Sequence, residues 1–321
     1  VAPDNPDPIR QSNLQFMLDW VDRVQDETKH DLVMFHELPL TGLSLDWSRE
    51  QVQRCCIEVP GPESEAIAAK AKEHACYITF GAYVRDADWP NHNLSLTTII
   101  GPDGAIIDRQ WKVRNIKGAL GGIELMTTTI YNVYDEYVER YGLDQVIPVA
   151  RTPIGNICTT AAQREPEIYR AQAIKGAGIL RRPATACFRR SAIQGPGLHN
   201  GFYSAMVNNA YIPNMEDSLR RRFGEPMGRE PLSDTATVLS TIVGPGGEVI
   251  AQAASAEEQL VSAEIPIAAF RAQYEQPMMH WALYEPVYTA YRPKYPPNMF
   301  SGALPDSSDE VAAFLEANKQ W

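Results

Sequence analysis

No apolar run in this 321-residue chain approaches the roughly 20 residues that a membrane-spanning helix needs, and no signal-peptide pattern is visible. Clustered positive charge is also missing. Acidic side chains outnumber basic ones 40 to 29, a net charge of −11, and the one basic cluster, Arg220-Arg221-Arg222, is short. Nucleic acid and anionic membrane are therefore excluded as main partners. Cysteine is sparse: Cys55, Cys56, Cys76, Cys158 and Cys187 are odd in number and irregular in spacing. That suits neither a secreted disulfide framework nor a zinc site, and points to a reducing, cytoplasmic setting. Regular repeats are absent, so the chain is no solenoid. It begins with Val rather than Met, which is consistent with loss of an N-terminal piece.

What remains is a chain that is 44% hydrophobic, enough for a substantial core, in which strand and helix signals alternate with no low-complexity linker between them. One compact α/β domain is the simplest reading. Helical spacing of apolar residues covers 10–28, 62–74, 166–176 and 199–208. Strand patterns cover 31–36, 77–84, 93–100, 104–110, 146–152, 154–161, 178–182, 235–243, 248–253 and 259–264. Gly101-Pro102-Asp103-Gly104 and Gly244-Pro245-Gly246-Gly247 predict two tight hairpins at corresponding places in the two halves, as a sheet-on-sheet sandwich requires.

Three strand ends carry chemistry. Residues 152–177 hand a β-prone run containing Cys158 to a helix opening at Pro166-Glu167, and a thiol near a helix N-terminus gains nucleophilicity. The plainer alternative is a small buried hydrophobe. Glu37 closes the apolar strand DLVMFHE, where a carboxylate is expensive unless it has a partner or a task. His36 alternates to the other face and reads as structural. Lys112, after the first hairpin, supplies a cation.

Glu, Lys and Cys at three strand ends in that order resemble the nitrilase superfamily of carbon-nitrogen hydrolases. FHELPLTG is similar to its Glu segment, NHNLSLTTIIGPDGAIIDRQWKVR to its Lys segment, TPIGNI with PEIYRAQAIKGA to its Cys segment, and STIVGPGGEVIAQAASAEEQLVSAEI to its second hairpin. The resemblance implies a four-layer αββα sandwich over residues 1–290, with 291–321 as a C-terminal extension in subunit contact. It implies a homodimer or higher homo-oligomer, no metal or organic cofactor, and a small-molecule amide or nitrile as substrate. The implied roles are Glu37 as general base, a cysteine as nucleophile through a thioester, and Lys112 as the cation beside the oxyanion. A second glutamate falls on Glu139, with Glu136 and Glu124 as alternatives.

At the nucleophile the chain departs from the pattern. The family's cysteine lies seven residues after the strand's first Gly, which here reaches Ala162, and six before Pro-Glu, which reaches Thr160. Three readings stay open: Cys158 as a displaced nucleophile, Ala162 where a cysteine was lost naturally or by engineering, and Thr160 as a replacement. In a regular strand Cys158 and Ala162 face the same side, ~13 Å apart. Cys158 then reaches the site only if the strand shifts register or ends early. The alternative function is a silent or repurposed member of the fold.

The pocket is expected from parts of 113–138 and 183–200. Tyr131, Tyr134 and Tyr137 suit either an apolar substrate or a helix core. The arginines at 181, 182, 189 and 190 suit an anionic group, a solvated surface or a subunit contact. Residues 273–321 are rich in Pro, which disfavours regular structure. There Trp281 and Tyr284 are expected to anchor on a neighbouring subunit, with packing on the chain's own domain as the alternative. A short amphipathic helix is expected over 308–318.

Overall fold

Apolar runs separated by glycine turns resolve, in a computed structural model, into two sheets that pack face to face. The structure describes residues 3–42, 47–114, 127–162, 165–184, 191–209, 239–255 and 257–321. Glu124, Gln163, Arg164, Cys187, Arg189, Arg190, Arg220 to Arg222 and residues 235–238 of the strand expected over 235–243 lie outside them.

The first sheet runs in the order β1 (Leu32–Met34), β2 (Tyr77–Val84), β3 (Leu94–Ile100), β4 (Ile106–Trp111). β1 and β2 are parallel and the rest antiparallel. The second runs β5 (Ile157–Thr159), β6 (Ile179–Ala184), β7 (Tyr203–Asn208), β8 (Thr241–Val243), β9 (Val249–Gln252), with β5, β6 and β7 parallel and the last two pairings antiparallel. Both expected hairpins form, closed by left-handed Gly104 and Gly247.

Helices cover the outer faces. α1 (Asp7–Glu27) and α3 (Pro62–His74) lay Met17, Val21, Ile67 and Ala71 against Ile78 and Phe80 of the first sheet. The short α2 (Arg49–Cys55) packs on β2, and α4 (Tyr134–Tyr141) sets Tyr137 against Trp111 at the end of β4. α5 (Pro166–Ile174) sets Tyr169 and Ala173 against Cys158 and Leu180 of the second sheet and Phe202 just before β7, with α6 (Ser191–Asn200) beside it. Between the sheets lie Ile99, Ala150 and Ile157 and a band of polar side chains. The result is the αββα sandwich.

Several expected elements differ. The strands expected over 146–152 and 259–264 do not form: Pro148 interrupts the first, which keeps only the isolated bridge Ala150–Ile157, and the second is irregular. The helix expected over 199–208 is the strand β7: left-handed Gly201 stops α6, and a short apolar run buried in a sheet centre shows no alternation to distinguish it from a helix. Nor does proline exclude a helix after 273, since α7 (Ile267–Gln273) is followed by α8 (Trp281–Ala290), which contains Pro286. The helix over 308–318 forms as α9 (Ser308–Asn318), capped by Ser307. The tail returns Met299, Phe300, Val311 and Leu315 to the chain's own first-sheet core. By contrast α8 leaves Leu283 and Val287 open, 70% and 69% exposed.

Candidate active site

Glu37 leaves the end of β1 and crosses β2 at Gly81. A Cβ on Gly81 would lie 2.0 Å from the carbonyl oxygen of Glu37, so the absence of a side chain there lets the carboxylate's backbone approach the sheet. Lys112 directly follows β4, where its backbone N–H donates to the Ser95 carbonyl at 2.8 Å. The preceding Trp111 is wedged edge-on between Trp89 and Tyr137, with ring centroids 5.2 and 5.1 Å away, which fixes the strand end. These two anchors bring the sites together: Lys112 Nζ donates to Glu37 Oε1 at 3.0 Å, with both side chains largely buried.

The pair lines a narrow pocket, about 30 Å³ in volume, together with Thr97, Thr159, Thr160 and Ala162. Arg114 lines it as well and is ion-paired with Glu165. Val113, Arg114 and Pro183 are the described pocket residues that fall inside the two expected stretches.

Cys158 is elsewhere. β5 does end early, at Thr159, because the Thr160 hydroxyl accepts from the Ala162 N–H at 3.1 Å and turns the chain out of the ladder. The strict alternation that would place 158 and 162 on one face therefore stops, and the two part. Ala162 lines the pocket, its carbonyl held by the Tyr169 hydroxyl. Cys158 points into the helix layer among Tyr169, Ala173 and Leu180, its Sγ 3.7 Å from the Ile179 carbonyl. Burial pushes its thiol well above the ordinary range, the opposite of what a nucleophile needs. Among the described residues no thiol lines the pocket, and Cys158 packs as a small buried side chain.

Glu139 is not brought to the pair either. It is exposed on α4 and borders a separate surface hollow with Asp135, Glu136 and Arg140. Tyr137 is core, and Tyr131 donates to the Tyr295 carbonyl at 2.8 Å. Arg181 and Arg182 are fully buried on β6, neither solvated surface nor subunit contact. Thr97, Gln110, Arg114 and Glu165 were not singled out in the sequence, where a strand-interior Thr or Gln carries no signal that distinguishes it from the rest of the sheet.

His36, beside Glu37, is held neutral: burial first, and the Arg181 charge second, push its imidazole down to about 4. Half-buried His92 is likewise pushed down to about 4, by burial and then by Arg49. An unfolded imidazole binds a proton near 6.5, so the unfolded chain binds more protons between the two values. The stability these groups contribute is complete above about 6.5 and is lost as pH falls toward 4. Acidification from pH 7 to 5 is expected to cost roughly 1–2 kcal/mol for each imidazole. Urea unfolding at both pH values, with His36→Gln flattening the slope, checks this; an unchanged midpoint sinks it.

The pattern of the carbon-nitrogen hydrolase family matches residues 6–274. No curated protein matches the sequence. Among solved structures, a double mutant of the amidase from Nesterenkonia sp. AN1 in complex with acrylamide is similar at 16% identity and TM-score 0.58, over 87% of this chain and 91% of that one. A second mutant of that amidase, showing Michael addition of acrylamide at its active-site cysteine, is similar at 15% identity and TM-score 0.59, covering 87% and 94%. The C. elegans NitFhit protein is similar at 18% identity and TM-score 0.61, over 90% of this chain and 62% of that one.

Proposed function

The chain belongs to the carbon-nitrogen hydrolase family, and we propose that its Glu37–Lys112 pocket takes a small carboxamide, in preference to a nitrile, and hydrolyses its carbon–nitrogen bond. The observation that carries this is the largely buried ion pair at 3.0 Å in a pocket between strand ends. Desolvating two charges is costly, and an apolar pair would often serve stability as well, so their place at a pocket suits chemistry better than packing.

With Cys158 facing the helix layer, the attacking atom in this reading is oxygen. Glu37 accepts a proton from water as the water oxygen bonds to the carbonyl carbon. The Lys112 ammonium stabilises the oxyanion that forms. As the carbon–nitrogen bond breaks, the proton on Glu37 passes to the departing amine, leaving the carboxylic acid. A second reading, a member of the fold that binds such a ligand without turning it over, is favoured by the same burial of Cys158.

Ammonia release from a panel of short aliphatic amides, alongside calorimetric binding of the same amides, decides between them. Release is expected, and Cys158→Ser is expected to leave its rate within about twofold, since the thiol lies outside the pocket. Binding without release supports the second reading, and neither binding nor release removes both. A rate that collapses in Cys158→Ser restores the thioester route.

A further inference from the structure

The family pattern and the pair at the pocket give no role to the buried Arg181. Arg181 sits in the middle of β6 with no exposed surface, a rare place for a guanidinium. Its Nη1 donates to the Thr97 hydroxyl at 2.9 Å and reaches the Thr159 hydroxyl at 3.4 Å, one on each sheet. Its Nη2 donates to the Phe35 carbonyl at 2.6 Å and the His36 carbonyl at 3.1 Å, the two residues that lead into Glu37. All four acceptors are uncharged oxygens, and Nε finds none among the described residues. A buried cation so held is expensive unless a carboxylate offsets it.

We propose that Arg181 is the positioning residue of Glu37: it ties both sheets to the chain entering Glu37, aims the carboxylate at the pocket, and shares that carboxylate with Lys112 as a second buried cation. The inference rests on the reading of Glu37 as the base. Thr97 and Thr159 line the pocket and both present a lone pair to Arg181, so the fork also sets the direction of their hydroxyl protons. Burial pulls the guanidinium down to about 9 while the Glu37 charge pushes it back up, as expected of two groups that feel each other. The other groups facing this cluster are Lys112, neutral His36 and Tyr83, whose hydroxyl burial keeps protonated, with the Arg114–Glu165 pair also beside the pocket.

Two measurements test it. The first is a cycle of thermal melts at pH 7 on the wild type, Glu37→Gln, Arg181→Met and the double variant. Glu37→Gln strands two cations, so adding Arg181→Met to it is expected to lower Tm less than the same change in the wild type. Additive losses would assign Arg181 to packing alone and overturn the sharing. If Arg181→Met does not fold, Arg181→Gln, which keeps two N–H donors without the charge, takes its place. The second uses Arg181→Lys, which keeps the charge and loses the fork. It is expected to lower kcat for amide hydrolysis by at least about tenfold with KM little changed, because the misaimed base still leaves the pocket intact. A wild-type kcat in that variant overturns the positioning role. If the wild type itself releases no ammonia, the proposed activity fails while the melts still decide whether Arg181 and Glu37 share charge.

Discussion

Glu37→Gln is expected to lower kcat/KM for amide hydrolysis by roughly 10²–10⁴-fold, the usual contribution of a general base. The amide keeps the shape and loses the proton acceptor. The same change is expected to destabilise the fold by about 3 kcal/mol, because Lys112 loses its ion-pair partner and fully buried Arg181 loses the negative charge proposed to offset it. Ammonia release and urea unfolding on one preparation read both effects. A variant with wild-type rate and wild-type midpoint would remove Glu37 from the site and the cation balance together.

Lys112→Met is expected to act in the same direction on rate and more mildly on stability. Loss of the cation beside the oxyanion costs roughly 10²–10³-fold in kcat. The buried carboxylate that remains is not stranded, since Arg181 still holds the chain entering it, so the stability cost is expected to be about 1–3 kcal/mol, at or below the low end for breaking a buried pair. The ranking is the sharper test: Glu37→Gln should unfold at lower urea than Lys112→Met. The reverse order would mean that Lys112 alone neutralises Glu37.

Glu37 stood out in the sequence as a costly charge at the end of an apolar strand, whereas Lys112 follows the polar strand IIDRQW and was singled out mainly through the order of segments that resembles the family. The helices 62–74 and 308–318 match within the residue because Pro62 and Ser307 mark their starts. The nucleophile segment was not readable, since its course depends on one side-chain hydrogen bond, Thr160 to the Ala162 N–H, which ends a strand that propensity alone extends. Arg181 was read as a group for solvent, ligand or partner because arginine is almost never fully buried, and only the four oxygens gathered from distant segments make its burial tolerable. Gly81 carried no turn signal, as its purpose is the close passage of another strand end.

The ring cluster that anchors Lys112 has an optical consequence. Trp111 borders the pocket and stands edge-on to Trp89 at 5.2 Å, close enough for the two indoles to couple their transitions in a rigid, asymmetric setting. The molecule therefore carries its own chromophore pair one residue from the proposed oxyanion cation. A ligand that moves the Lys112 stem changes the surroundings of that pair, and near-ultraviolet circular dichroism becomes a label-free report on occupancy even when no bond is broken.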